Sequence, residues 1–317
     1  MIGGQAIPPA DIGLVTDPNA APAGGEAHGI GGIGVLMLRV FIENKLALVG
    51  LATVVFMFLF SFLGPVFYHT NQTTLVVTQI SQFLASPSKA HLLGTDYEGY
   101  DQVGRLMFAG RATLEISLGA AAGATIFGVI YGAVSGYLGG WVDAVLMRVV
   151  DCLLSIPGLF LLIVLAAIYQ HLSLLLLIII VGIVAWLVPA RLIRGETLTL
   201  RTREYVQAVK GMGGSRNRIV MRHIIPNAVG TIVVNATFQV ADAMLTIAAL
   251  GYLGFGLTPP ATTWGTMLSD GVTYLSATPP KWWVFYPAGF AIIITVLGFN
   301  FIGDALRDSF ETRLQKR

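Results

Sequence analysis

Long apolar stretches alternate with shorter polar ones along most of this chain. A transmembrane helix needs roughly 20 mainly apolar residues to cross about 30 Å of hydrocarbon, and six stretches have about that length. They lie near residues 46–67, 112–135, 149–168, 172–188, 228–255 and 283–302. The pattern predicts an all-α integral membrane protein with six transmembrane helices.

The composition agrees with a membrane protein. Hydrophobic residues make up 55% and charged residues 11% of the 317 residues, and the mean hydropathy is +0.75. These values lie outside the range of soluble globular domains. The net charge of +2 is too small to indicate nucleic-acid binding, because nucleic-acid-binding domains carry a concentrated basic surface. We therefore expect no nucleic-acid partner.

The basic residues predict the orientation of the chain. Six spans place both termini on one side, and 15 of the 19 Lys and Arg residues fall on that side. Because basic residues accumulate on the cytoplasmic side, both termini are expected in the cytoplasm. Residues 1–34, rich in Gly, Ala and Pro, are expected to form a flexible cytoplasmic tail, followed by one six-helix transmembrane domain over residues 35–317.

One long polar segment, residues 191–227, interrupts the apolar pattern and carries eight basic and two acidic residues. Residues at helical spacing predict a first helix with one packing face: Leu198, Thr202, Tyr205, Val206 and Val209. Three glycines between residues 211 and 214 end this helix, and a second short helix is expected over residues 217–225, before Pro226. The segment is predicted to form a helix, a glycine turn and a second helix.

Nothing in the residue pattern indicates catalysis or metal binding. A P-loop requires a glycine directly before its lysine, and none of the five lysines follows a glycine. The five histidines are scattered without the spacing of a metal site. We expect no catalytic residue, metal site or cofactor in this chain, so its energy source is another subunit or an ion gradient.

Asp242 is the most deeply placed ionisable residue, midway along the fifth apolar stretch. An ionised side chain at membrane depth costs about 2.5–3.5 kcal/mol, so its presence points to a function. Two interpretations stay open. The carboxylate faces a water-filled translocation path, or it hydrogen-bonds a neighbouring helix.

Two further features concern packing within the spans. Gly119, Gly123, Gly128 and Gly132 in the second apolar stretch predict close approach of a neighbouring helix, because glycine lets helix backbones come together. Cys152 is the single cysteine and lies in the third stretch, where we expect it to behave as a small buried apolar side chain.

The polar segment resembles the EAA loop of inner-membrane subunits of ABC importers. In that family a Glu-Ala-Ala triplet, a glycine four residues later and a terminal Leu-Pro form a helix that docks into a groove of the ATPase. Here Gln207-Ala208-Val209, Gly213 and Ile225-Pro226 take those places, with Gln207 replacing the usual Glu. The resemblance implies that these residues contact the ATPase: Glu204, Tyr205, Gln207, Ala208, Val209, Gly213, Ser215, Arg222, His223 and Pro226.

Further ordered matches over residues 39–313 resemble the second permease subunit of dipeptide and oligopeptide ABC importers. They include residues 91–96 (HLLGTD), 136–143 (GYLGGWVD), 155–157 (SIP), 194–196 (RGE), 253–256 (LGFG) and 264–265 (WG). The resemblance implies the type I importer permease fold in a bacterial inner membrane, with lipid around the spans.

The same resemblance implies the partners and the mechanism. The partners are a homologous second permease, two ATP-binding subunits that carry ATP and Mg²⁺, and an extracytoplasmic solute-binding protein. The substrate is a dipeptide or oligopeptide, and transport proceeds by alternating access driven through the polar segment. Two alternatives stay open: a nickel or glutathione importer of the same class, and an ion-coupled carrier that uses Asp242 as its ion site.

Overall fold

The computed structural model describes residues 41–69, 83–169 and 171–315, with side chains described as far as Phe310. The predicted tail, residues 1–34, lies outside the described residues. The division into a tail and a transmembrane domain therefore stays a prediction.

The first half of the described chain is built from helices joined by short connections. These are α1 (Lys45–Phe62), α2 (Gly64–Phe67), α3 (Gln102–Leu138), α4 (Gly140–Leu154), α5 (Gly158–Ala167), α6 (Leu174–Ala185) and α7 (Leu187–Leu200). An isolated β-bridge pairs Thr95 with Asp101 before α3 begins.

The second half continues the helical pattern. Its elements are α8 (Glu204–Gly211), α9 (Arg216–Ile219), a π-helical turn (Val220–Ile224), a 3-10 turn (Ile225–Asn227), α10 (Val229–Tyr252), α11 (Trp264–Leu275) and α12 (Trp282–Gln315). Four helices of the described chain are long and apolar enough to cross a membrane, and there are six spans if each of two bent helix pairs counts as one. The all-α transmembrane fold is therefore confirmed.

The second span starts earlier than the sequence predicts. Helix α3 begins at Gln102 rather than near residue 112, because Asp101 caps it: Asp101 Oδ1 accepts a hydrogen bond from the Gly104 backbone N–H at 3.0 Å. The other carboxylate oxygen of Asp101 lies 2.9 Å from His91 Nδ1. Arg105 therefore lies inside the helix, although the hydropathy pattern places it between the first two predicted spans.

The third and fourth spans are bent, where the sequence predicts continuous helices. The α4–α5 pair bends by 79° and the α6–α7 pair by 43°. Pro157 precedes the first residue of α5, and proline cannot donate to the helical ladder. Pro189 stands four residues after Ala185, so the carbonyl of Ala185 loses its helical donor at the second bend.

The main core surrounds Trp264, which is fully buried between α1, α3, α10 and α12. Its indole Nε1 donates to the Leu106 carbonyl at 2.9 Å. This bond satisfies the polar atom of a large buried ring, as buried tryptophans require.

Three of the four glycines predicted to allow close approach of a neighbouring helix do so, and two of them face α7. A methyl group added at Gly128 would lie 2.8 Å from Pro189 Cβ, and one added at Gly132 would meet the Ala190 carbonyl. A methyl group added at Gly119 would lie 2.9 Å from Ile178 Cδ1 of α6, so this position also allows a close approach. Gly123 faces open space, so the prediction for Gly123 is wrong. The close approach of α3 to α7 therefore depends on Gly128 and Gly132.

Large apolar side chains cover the outside of the spans. Phe56, Ile126, Phe160, Leu175 and Phe290 are each more than half exposed. Exposed apolar surface of this extent is typical of lipid-facing or subunit-facing helices. Cys152 is also exposed, so the prediction that it is buried is wrong.

Candidate functional site

The polar segment forms a helical hairpin, defined here as residues 201–227. Its first helix, α8, begins at Glu204 and ends at Gly211, and α9 begins at Arg216. The single longer helix predicted from Leu198 is therefore interrupted at residues 201–203, where Arg203 adopts an extended conformation. The predicted order of helix, glycine turn and helix is confirmed.

The turn of the hairpin depends on Gly213, whose φ is +79°. Its backbone N–H donates to the Lys210 carbonyl at 3.1 Å, and the Gly214 N–H donates to the Val209 carbonyl at 3.0 Å. Residues with a Cβ rarely adopt this left-handed conformation, because the Cβ approaches the following carbonyl. After the turn, Ser215 caps α9 by accepting from the Arg218 N–H at 3.4 Å.

One side of the hairpin is anchored to the spans. Val206 is 1% exposed and packs in one apolar cluster with Ile219 and Ile224. The same cluster contains Val129 of α3 and Ile193 of α7. Of the five residues predicted to form the packing face, Val206 is buried and Val209 half-buried, whereas Tyr205 is exposed. The buried side of the hairpin is therefore packed against α3 and α7.

The other side of the hairpin is free. The predicted contact residues that are exposed are Glu204, Tyr205, Gln207, Ala208, Gly213, Ser215, Arg222 and Pro226, while Val209 and His223 are half-buried. Met212 at the tip is 79% exposed and was not identified from the sequence as a contact residue. The exposed side of the hairpin therefore leaves these residues and Met212 accessible to a partner.

Gln207, which replaces the usual Glu of the resembled motif, has a structural role. Its Nε2 donates to the Arg201 carbonyl at 2.8 Å, where α7 ends. A carboxylate at this position has no proton to donate at neutral pH. The amide therefore fixes α8 against the end of α7 in a way that a glutamate cannot reproduce.

An ion pair ties α7, the helix that leads into the hairpin, to α4. Arg194 Nε and Nη2 each lie 2.6 Å from one carboxylate oxygen of Asp143. Ser135 Oγ also donates to Asp143 at 2.6 Å, so the carboxylate joins the end of α3, the first turn of α4 and the middle of α7. Bidentate Arg–carboxylate pairs fix orientation as well as distance. This connection was not predicted from the sequence.

A polar stripe runs along α10. Asn235, Gln239, Asp242 and Thr246 are spaced i, i+4, i+7 and i+11, which places them on one helix face. Three of them, Gln239, Asp242 and Thr246, line a cavity of about 300 Å³. The stripe was recognisable from its helical period, although only Asp242 was singled out in the sequence.

Both helix bends border this cavity. Its walls include Ile156 and Pro157 from the first bend and Ala185 and Leu187 from the second. Gln239 Nε2 donates to the Ala185 carbonyl at 3.1 Å, replacing the donor that Pro189 lacks. Irregular backbone at membrane depth is tolerated where it lines a cavity or is satisfied by neighbours.

Asp242 is exposed to the cavity. Its carboxylate makes no hydrogen bond or ion pair with any other residue of the described chain. The geometry therefore favours the first of the two interpretations, a carboxylate that faces a cavity rather than a neighbouring helix. No other Asp or Glu, and no Lys, Arg or His, is found among the described residues that line the cavity.

A cluster of charged residues lies at the end of the bundle opposite the hairpin. Arg105 forms ion pairs with Asp96 at 3.1 Å and Glu98 at 3.6 Å, and with Asp270 of α11 at 4.0 Å. Burial raises the pKa of Asp270 to about 6 and the pKa of Tyr97 to about 12, while nearby Arg105 opposes both shifts. No group of three or more metal-ligating side chains occurs in the part of the chain described by the structure.

Comparison with known proteins identifies the family. Residues 125–316 match the family described as binding-protein-dependent transport system inner membrane component. Residues 34–87 match the N-terminal TM domain of oligopeptide transport permease C. The family description and the apolar spans place the chain in the inner membrane, as predicted.

Curated relatives cover most of the chain. The oligopeptide transport system permease protein OppC of Bacillus subtilis is 40% identical over 280 residues, 88% of this chain and 89% of the relative. The dipeptide transport system permease protein DppC of Alkalihalophilus pseudofirmus is 37% identical, covering 86% of this chain and 88% of the relative. OppC of Escherichia coli K12 is 38% identical, covering 87% of this chain and 89% of the relative. The chain therefore belongs to the family of binding-protein-dependent transport system inner membrane components, the permease subunits of ABC transporters.

Proposed function

We propose that this chain is one of two homologous permeases in an ATP-driven importer of dipeptides or oligopeptides. The observation that carries the proposal is the hairpin at residues 201–227, rigidly anchored on one side and exposed on the other. The relatives, named as oligopeptide and dipeptide permeases, support peptide as the substrate rather than nickel or glutathione. Nothing in the family match supports the ion-coupled carrier.

In the proposed complex, two ATP-binding subunits bind ATP and Mg²⁺, since this chain has no P-loop, and one of them docks on the hairpin. A solute-binding protein delivers peptide to the opposite end of the bundle. ATP binding shifts the permeases between inward-open and outward-open states. The ATPases must bind the hairpin differently in the two states, because a partner with equal affinity for both shifts nothing.

The anchoring contacts explain how movement of the hairpin reaches the path. Val206 packs the hairpin against α3 and α7, and the Asp143–Arg194 pair joins α7 to α4. Helix α7 forms part of the wall of the cavity that contains Asp242. A rotation of the hairpin is therefore transmitted to the bend between α6 and α7, and we assign this cavity to the translocation path.

Copurification tests the assembly. The tagged chain is extracted from its native membrane in mild detergent, and the proteins recovered with it are identified by mass spectrometry. We expect a second permease and P-loop ATPases, and we expect ATP-dependent uptake of tri-alanine after reconstitution with the solute-binding protein. Recovery of the chain alone, also after crosslinking, together with uptake that needs no ATP, would contradict the proposal.

A further inference from the structure

We propose that Asp242 binds the ammonium group of the peptide as it passes through the membrane, an inference that rests on the proposed function. The carboxylate has no partner within the described chain and lies in a cavity whose described lining contains no basic side chain. A carboxylate kept at membrane depth without a partner is costly unless a cation or water pairs with it. The natural counter-ion in a peptide path is the substrate's own positive charge.

The form of the cavity suits this group. Its volume of about 300 Å³ lies at the lower end of the range for small-molecule sites, enough for an amino terminus with one side chain. The neighbouring Gln239 does not pair with the Asp242 carboxylate, because its Nε2 donates to the Ala185 carbonyl at 3.1 Å. Discontinuous helices that border a polar site near mid-membrane are a recurrent arrangement in transporters.

The energetic role follows from the substrate's chemistry. Nearly every unmodified peptide carries an ammonium group, which loses its water shell on entering a low-dielectric passage. A charge-assisted hydrogen bond from that group to Asp242 replaces part of the lost hydration. The site therefore recognises a feature that peptides of different sequence share, and it lowers the barrier to passage without selecting a side chain.

The test measures uptake by the complete transporter in proteoliposomes at saturating peptide, where the affinity of the solute-binding protein no longer limits the rate. Tri-alanine carries only the terminal ammonium, and Ala-Lys-Ala carries a second one on its side chain. We expect Asp242→Asn to lower the maximal rate roughly tenfold or more and Asp242→Glu to retain most of it. Asp304→Asn, at an exposed acidic residue of α12, is the matched control and is expected to be unchanged.

A chemical rescue separates charge from structural damage. Asp242→Cys is made in a Cys152→Ser background, which removes the one native thiol, and the assembled complex is treated with charged methanethiosulfonates. The sulfonate reagent, which restores a negative charge, is expected to restore uptake, and the trimethylammonium reagent is expected to leave it low. Equal rescue by both reagents, or equal loss in Asp242→Asn and Asp242→Glu, would overturn the proposal.

The two peptides identify the source of the ammonium group. If Asp242→Asn lowers the uptake rates of both peptides equally, the site binds the amino terminus. If it lowers only the uptake of Ala-Lys-Ala, the site binds the lysine side chain. Wild-type rates for both peptides in Asp242→Asn would overturn the ammonium site while ATP-driven import remained established. Import that is independent of ATP in the wild type would instead refute the proposed function.

Discussion

Replacement of Gly213 by proline tests whether the hairpin couples ATP hydrolysis to transport. Gly213 has φ +79°, whereas proline fixes φ near −65°. Proline also removes the N–H that donates to the Lys210 carbonyl at 3.1 Å. The turn cannot form in its present shape, yet no apolar span is altered, so the variant is expected to insert into the membrane normally.

The magnitude follows from the backbone alone. A Cβ at Gly213 would meet nothing within 4 Å, so Gly213→Ala costs only the left-handed strain, about 1–2 kcal/mol. Gly213→Pro adds the lost hydrogen bond and the incompatible φ, for a total of about 3 kcal/mol or more. This corresponds to roughly a hundredfold fall in the population of the native turn.

The assay measures peptide imported per ATP hydrolysed by the reconstituted complex. We expect near-complete uncoupling for Gly213→Pro and an intermediate ratio for Gly213→Ala. Gly195→Ala serves as the control, because that position also faces open space and has no positive φ. Wild-type coupling in Gly213→Pro would refute the reasoning, and so would equal defects in all three variants.

Three further predictions concern the supports of the site. A double-mutant cycle with Asp143→Asn and Arg194→Lys should show about 1–2 kcal/mol of coupling in unfolding free energy, because the pair at 2.6 Å is bidentate; additivity would contradict this. Gly132→Ala should destabilise the protein by about 1–3 kcal/mol, because the methyl meets the Ala190 carbonyl, whereas Gly123→Ala faces open space and should be neutral or stabilising in thermal unfolding. Burial raises the pKa of Asp270 to about 6 in the folded chain, so the folded state favours the protonated carboxyl group. The resulting contribution to stability is fully present below pH 3.8 and is lost as pH rises through about 6. Relative to Asp270→Asn, wild type should therefore lose up to about 3 kcal/mol, and parallel pH curves of the melting temperature would contradict this.

The sequence predicted the number and approximate position of the spans, because membrane-crossing helices leave a strong hydropathy signal. It did not predict the bend at residues 155–157 or the bend at Trp186, since hydropathy averages over a break of one to three residues. The prolines were visible, but the partner of the freed Ala185 carbonyl, Gln239, lies 54 residues away. Such a pairing requires the tertiary arrangement of α6 and α10.

The helix–turn–helix order of the hairpin was predicted because it depends on residues that are close together in the sequence. Its glycine turn is set by neighbouring residues, and the structure places Gly213 where a positive φ is needed. The break at residues 201–203, before α8 begins at Glu204, was not predicted. The Asp143–Arg194 pair joins residues 51 positions apart and leaves no local signal. Asp242 was identified by its charge in an apolar stretch, whereas the polar stripe around it, although visible as a helical period in the sequence, was not singled out.

Photo-crosslinking from the tip of the hairpin tests the central claim most directly. Benzoylphenylalanine is introduced at Met212, which is 79% exposed, and in a control at Leu175, which is exposed on the apolar surface of α6. We predict adducts between position 212 and a P-loop ATPase subunit, with yields that change on addition of ATP, and none from position 175. ATPases that copurify with the chain but form no adduct with position 212 would contradict the assignment of the hairpin as the coupling surface.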